Sequence, residues 1–161
     1  NTYFNSNDFI QKFGSKKAKI ITSISMFYDL EKPNDFVREL SEILSDDGVW
    51  ILQMNYLVTM LQNNAFDNIV HEHLEYYSLQ SLEFLLSKHD LEVFDVEFNN
   101  INGGSIRTYI KHKDCKKFPI TNRVEETRQS EKNLGLDDEK PYLDFANSIK
   151  NQKTQTFDFI K

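Results

Sequence analysis

Apolar residues recur along this chain with two periods, one suited to strands and one to helices. The run AKIITSISMF (18–27) is β-rich and nearly continuous, with the length of a buried strand. EKPNDFVRELSEILSDDG follows, with Pro33 suited to a first helical turn and Phe36, Val37, Leu40, Ile43 and Leu44 on one face. Asp46-Asp47-Gly48 is expected to stop that helix, with Gly48 at a left-handed cap. VWILQM (49–54) reads as a second apolar strand. Strand, helix and strand within about 35 residues make a βαβ unit, which implies parallel pairing through a right-handed crossover.

The pattern then changes. YLVTMLQNN (56–64) reads as a short helix, and Ser78 is a suitable N-cap for a helix with Leu79, Leu82, Leu85 and Leu86 on one stripe, ending near His89. LEVFDVEF and SIRTYIKH read as two strands, and the NNINGG between them predicts an antiparallel hairpin. Residues 2–13 read as a short strand followed by a helical turn. The whole order predicts an α/β sheet whose last strands are antiparallel.

After residue 113 the composition becomes more charged. RVEETRQSEKNLG is a weakly amphipathic helix that Gly135 ends. The next helix carries Tyr142, Ala146, Ile149, Phe157 and Ile160 on one stripe, which needs something to bury it. It either packs back on the core or opens a further domain; the second reading is favoured because the core is already complete.

Composition narrows the function classes. A 39% hydrophobic and 13% aromatic content provides core material that a disordered chain lacks. With a net charge of −6 and no basic stripe on any predicted element, nucleic acid is not expected as a partner. No apolar run is long enough for a membrane span, and no secretory signal is visible. The single Cys115 leaves no internal disulfide or cysteine-based zinc cluster, and a cytoplasmic setting is the simplest expectation. The chain begins at Asn1 without a methionine and reads as part of a longer protein.

The candidate chemistry lies in DNIVHEHLEYYSL (67–79). His71 and His73 flank Glu72, and Tyr76 and Tyr77 follow. Two histidines two apart diverge on a helix and converge only on an extended segment, which disfavours a zinc-protease arrangement. An acid/base site asks less: an unperturbed imidazole titrates near pH 6.5, and a carboxylate can orient it. A solvated polar turn is the plain alternative. In open α/β sheets ligands sit beyond the carboxyl ends of the strands. There SMFYD (25–29) and QMNYL (53–57) present Ser, Tyr, Gln and Asn, so the three segments can converge on one site.

These residues resemble a known family. KIITSISMFYDLEKPNDFVRELSEILSDDGVWILQMNYL resembles the second half of a class I S-adenosylmethionine-dependent methyltransferase core. FDNIVHEHLEYYSLQSLEFLLSKHDLEVFDVEFNNINGGSIRTYI resembles, more specifically, the sugar C-methyltransferases that act on nucleotide-linked deoxy-keto-sugars. Their signature is a Tyr-His-Glu-His run, an aromatic-Ser-Leu helix start and a Gly-Gly-Ser-[Ile/Leu]-Arg strand start. RVEETRQSEKNLGLDDEKPYLDFANSIK resembles the helical lead-in to that family's C-terminal domain.

The resemblance implies the second half of a Rossmann-like class I methyltransferase sheet, ending in an antiparallel hairpin and followed by C-terminal helices. Residues 1–113 would be the C-terminal part of the methyltransferase core, and 114–161 a helical extension leading to a further C-terminal domain. It implies a base that removes a proton beside the sugar's keto group, giving an enolate that takes the methyl group. His73 becomes that base, with Glu72 its partner or a substrate contact and His71 beside them. Tyr28, Asn55, Tyr56, Tyr76, Tyr77, Gly104 and Ser105 become substrate contacts. Ser23, Ile24 and Met26 become contacts of S-adenosylmethionine. The main Gly-rich cofactor loop, the ribose-binding acid and a zinc domain would precede Asn1. The implied partners are a nucleotide-sugar substrate and the remaining N- and C-terminal parts of the same protein, with no nucleic acid, membrane or metal. Two positions depart from the family pattern: Val70 stands where its tyrosine would be, and Tyr28 where it commonly has a histidine. Tyr76 or Tyr77 takes the missing tyrosine's role, or the substrate differs. The competing expectations are a non-catalytic interaction module with the same fold and a metal-dependent hydrolase using His71, Glu72 and His73.

Overall fold

The computed structural model describes residues 4–161. Asn1, Thr2 and Tyr3 lie outside the described residues, so the strand expected at the start is tested only from Phe4. No strand forms there: Asn5 caps a helix, α1 (Ser6–Phe13), by accepting from the Asp8 amide at 2.8 Å. The chain then runs β1 (Ala18–Ile24), α2 (Pro33–Ile43), β2 (Leu44–Asn55), α3 (Leu57–Gln62), α4 (Leu79–Ser87), β3 (Leu91–Asn99), β4 (Ser105–His112), α5 (Asn122–Leu134) and α6 (Lys140–Ile160).

The strands form one sheet in the order β1-β2-β4-β3. β1 and β2 are parallel, as the βαβ pattern predicts, with Ser23 opposite Leu52 and Ile24 opposite Gln53. β4 runs antiparallel to both neighbours and inserts between β2 and β3. Its first residue, Ser105, therefore faces Asn55, the last residue of β2. The exits of β1 and β2, the end of β3 and the start of β4 thus share one sheet edge.

The core lies on the sheet face covered by α2 and α4. Val37 and Leu40 of α2 and Leu79, Leu82, Leu85 and Leu86 of α4 pack with Trp50, Leu52 and Met54 of β2 and Ile106 and Ile110 of β4. Apolar burial at helical spacing, rather than propensity, holds these short helices in place. The fully buried Trp50 indole donates to Ser23 Oγ at 3.0 Å, which joins β1 to β2 on the core face. Pro33 opens α2, Ser78 and Ser81 form a reciprocal capping box at α4, and Gly135 closes α5 with φ 72°.

Among the described residues β1 is an outermost strand of the sheet, and its Ile20 and Ile24 are 68% and 59% exposed. One expectation is overturned, that of a helix cap at Gly48. α2 ends at Ile43 with an extended Leu44, and Asp46-Asp47-Gly48 lies within β2. From Ala18↔Leu44 to Ile20↔Val49 the register shifts, so β2 bulges there. A Cβ on Gly48 would sit 2.8 Å from Leu44 Cδ1 and 2.9 Å from the Ala18 carbonyl oxygen, so close approach, not a left-handed backbone, demands glycine. The α6 stripe is only partly covered: Ala146 and Ile149 are half-buried, while Phe157 and Ile160 are exposed. No helix among the described residues is long and apolar enough to cross a membrane.

Substituting Gly48→Ala is expected to destabilise the chain by about 1–3 kcal/mol, because the contacting Ala18 atom is backbone and cannot swing away. Urea denaturation checks this; an unchanged midpoint would show that the bulge relaxes freely.

Candidate functional site

The site begins where β1 ends. Ser25 adopts φ 52° and its amide donates to the Gln53 carbonyl at 3.0 Å, turning the chain sharply off the sheet edge. A 3-10 turn over Phe27–Asp29 follows and buries Phe27 and Tyr28. Phe27 anchors the turn, with its ring centroid 5.7 Å from Trp50 and 5.2 Å from Tyr77. The Tyr28 carbonyl is left facing outward from the turn, and it accepts from the amides of Leu74 at 2.9 Å and Glu75 at 3.1 Å. Backbone hydrogen bonds thus dock the segment that follows His73 onto the exit of β1.

That docking sets His73 against Tyr28, ring centroids 4.5 Å apart and edge to face. His73 Nδ1 lies 2.8 Å from the Asn68 carbonyl oxygen. A carbonyl only accepts, so Nδ1 carries the proton and the neutral ring keeps its lone pair on Nε2. The Tyr76 hydroxyl donates to the same carbonyl at 3.3 Å. Burial raises the Tyr28 phenol above its ordinary value, which keeps it a neutral neighbour of the imidazole.

Asn68 is the organising residue of this cluster. Its side-chain oxygen accepts from Asn55 Nδ2 at 2.7 Å, and its amide donates to the carbonyls of Ala65 and Asn102, both at 3.3 Å. One residue therefore joins the end of β2, the β3–β4 connection and the His73 segment. Sequence reasoning passed over it in favour of the histidines and tyrosines. An amide side chain between Asp67 and Ile69 carries no pattern that marks it out, although it lies within the stretch already singled out.

The other expected residues fall into distinct places. The His73 amide donates to the Val70 carbonyl at 3.1 Å, closing a turn with His71 and Glu72 at its tip. Their side chains are 92% and 75% exposed, so they face solvent and do not converge with His73. Among the described residues no three His, Cys, Asp or Glu side chains are arranged to hold a metal ion. Asn55 belongs to the Asn68 cluster. Tyr56 and Tyr77 are buried in the core; the Tyr56 hydroxyl donates to Glu131 Oε1 at 2.7 Å, and burial pushes both phenols well above the ordinary tyrosine range. Gly104 has φ 128°, and a Cβ there would meet Thr59 at 2.6 Å. Its carbonyl accepts from the Tyr56 amide and Thr59 Oγ1, while the buried Ser105 hydroxyl donates to the Ile101 carbonyl at 2.8 Å. Gly104 and Ser105 thus build the junction between the hairpin and the end of β2. Ser23, Ile24 and Met26 line a cavity of about 210 Å3 beside Phe4, Ile21 and Phe36.

The structure therefore brings Tyr28, Asn55, His73 and Tyr76 together around Asn68. It can present a neutral imidazole lone pair, held in one tautomer beside aromatic hydroxyls, which is the equipment of a proton acceptor.

Comparison with known proteins adds an independent line. Residues 3–96 match a family model described as a methyltransferase domain, and residues 100–161 match one described as a C-methyltransferase C-terminal domain. The C-methyltransferase NovU of Streptomyces niveus is 29% identical over 144 residues, covering 89% of this chain and 34% of NovU. The chain thus spans about a third of that relative's length. Among solved structures, LepI in complex with SAM aligns with a TM-score of 0.51 at 9% identity, over 60% of this chain and 27% of LepI. A methyltransferase in complex with the Haloferax volcanii Trm112 activator aligns with a TM-score of 0.51 at 12% identity, over 60% of this chain and 54% of its own. At these identities the structural likeness concerns the fold alone.

The Asn68 carbonyl makes one outcome specific to this site. Ring 15N spectroscopy is expected to find neutral His73 protonated at Nδ1, with Nε2 bare. A predominantly Nε2-protonated ring, as in a free side chain, would contradict the geometry.

Proposed function

We propose a carbon-methylating reaction for the protein that contains this chain, on one premise: the chain belongs to the class I S-adenosylmethionine-dependent methyltransferases. The substrate is a nucleotide-linked keto-deoxysugar, and the reaction proceeds through an enolate. The observation that carries this reading is His73 fixed through Nδ1 to the Asn68 carbonyl at 2.8 Å, with Nε2 left to accept a proton.

The residues act in sequence. His73 Nε2 takes the proton from the carbon next to the keto group, and the C–H electron pair passes into the enolate. The imidazolium that forms keeps its Nδ1 hydrogen bond, so the Asn68 carbonyl stabilises the charged ring as well as the neutral one. Tyr28 packs edge to face against the ring, and the Tyr76 hydroxyl donates to the same carbonyl. Glu72 and His71, open to solvent at the tip of their turn, meet the substrate rather than orient the base, because Asn68 already orients it. Val70, where the resembled family has a tyrosine, leaves the phenol role to Tyr76, whose hydroxyl is already in the cluster.

S-adenosylmethionine, when bound, supplies an electrophilic methyl group for the carbon that has lost its proton. The cavity beside Ser23, Ile24 and Met26 offers apolar walls and one hydroxyl, which suits part of such a cofactor. The rest of the cofactor site, including the Gly-rich loop, belongs to the remainder of the protein, in keeping with the one-third span of NovU that this chain covers.

In the full-length protein, His73→Gln is expected to lower the rate of methyl transfer by at least about 100-fold, the low end of a general base's contribution, with cofactor binding unchanged. Turnover assays with a nucleotide-linked keto-sugar, alongside cofactor titration, check it. Turnover within a few-fold of the original would remove His73 from the mechanism.

A further inference from the structure

We propose that Glu131 is a positioning residue for the site, pinning both ends of the chain excursion that carries His73. The excursion, residues 57–78, begins after Tyr56, the residue that follows β2, and returns at Leu79, the first residue of α4. It contains Asn68, His71, Glu72, His73 and Tyr76. Its ends already meet once, where the Leu57 amide donates to the Tyr77 carbonyl at 3.0 Å.

Glu131 comes from α5, far along the chain, and is 2% exposed. Its Oε1 accepts from the Tyr56 hydroxyl at 2.7 Å and from the Leu79 amide at 2.5 Å. Its Oε2 accepts from the Gln80 amide at 2.9 Å. Tyr56 is the last residue before the excursion and Leu79 the first after it, so one buried carboxylate holds the two ends side by side. A buried carboxylate is tolerated only when such donors surround it, and here it also sits at the positive end of α4. The Tyr56 phenol has no other acceptor among the described residues, and the first amides of α4 have no partner within their own helix. The three groups therefore depend on the same carboxylate.

α5 is itself fixed as a brace. Val124 is fully buried in the core, and the Arg128 guanidinium grips the Glu83 carboxylate on α4 through contacts of 2.7 and 3.1 Å. Glu131 thus transmits the position of a rigid helix to both ends of the excursion. It touches no ring of the His73 cluster; its effect passes through the order of residues 57–78.

The kinetic part of the test rests on the proposed role of His73, whereas the spectroscopic part does not. Glu131→Gln keeps the shape and removes the charge. Well below its unfolding midpoint, this variant is expected to exchange the amides of residues 57–78 about tenfold faster or more, with the amides of β2 and β4 unaffected. The Nδ1-protonated form of His73 gives way to a mixture of tautomers in its 15N spectrum. In the full-length protein, kcat falls about tenfold or more while KM for S-adenosylmethionine stays within twofold. Tyr56→Phe, which leaves both α4 amides capped, shows the same changes in smaller measure. A folded Glu131→Gln variant with original exchange rates and original His73 ring signals would overturn the proposal. If that variant does not fold, an unaltered Tyr56→Phe variant overturns it instead. Faster exchange and a changed ring with kcat intact would support the pin and remove His73 as the base.

Discussion

The parallel pairing of β1 with β2 is the constraint on which the rest of the site depends. With Ile24 opposite Gln53, both strands end at the same sheet edge, and both chains must turn there. The turn after β1 exposes the Tyr28 carbonyl; the turn after β2 starts the excursion that ends at α4. The excursion then docks on that carbonyl through two consecutive amides. An irregular segment has no ladder of its own, so borrowed backbone partners of this kind decide whether it holds one conformation. The insertion of β4 between β2 and β3 completes the edge, because it brings the Gly104 carbonyl onto the Tyr56 amide.

The same edge shows how polar groups are arranged to serve position rather than stability alone. Asn68 uses its side chain to join three elements and its carbonyl to hold His73 and Tyr76. Glu131 gathers donors from the two ends of the excursion. Leaving one partner of a buried polar group unpaired costs about 1–3 kcal/mol, more when that group is charged, whereas an intact hydrogen bond nets only about 0.5–1.5 kcal/mol. Such a set is therefore better read as a device for choosing one arrangement than as a store of stability. Its placement at the two ends, with His71 and Glu72 exposed at the tip, leaves the tip of the excursion open and His73 held.

Much of the fold was legible in the sequence because its signals are local. Pro33 in a first turn, Ser78 at an N-cap and Gly135 at a left-handed cap each depend on residues within one turn of themselves. Hydrophobic periodicity marked all four strands and the helices between them. What escaped depends on distant neighbours. Gly48 looks like a helix stop, yet it is required by the Ala18 carbonyl across the sheet. His71 and His73 would share a side on an extended segment, but the Val70–His73 turn separates them. Asn68 and Glu131 carry no pattern of their own; the latter's partners lie 51 to 75 residues away.

The central claim is that His73 Nε2 removes a proton from the carbon beside the substrate's keto group. Deuterium exchange isolates that step from methyl transfer. The full-length protein, incubated in heavy water with a nucleotide-linked keto-sugar, is predicted to wash deuterium into that carbon, and the His73→Gln variant is predicted to lose the exchange. Exchange that persists at the original rate without His73 would contradict the account.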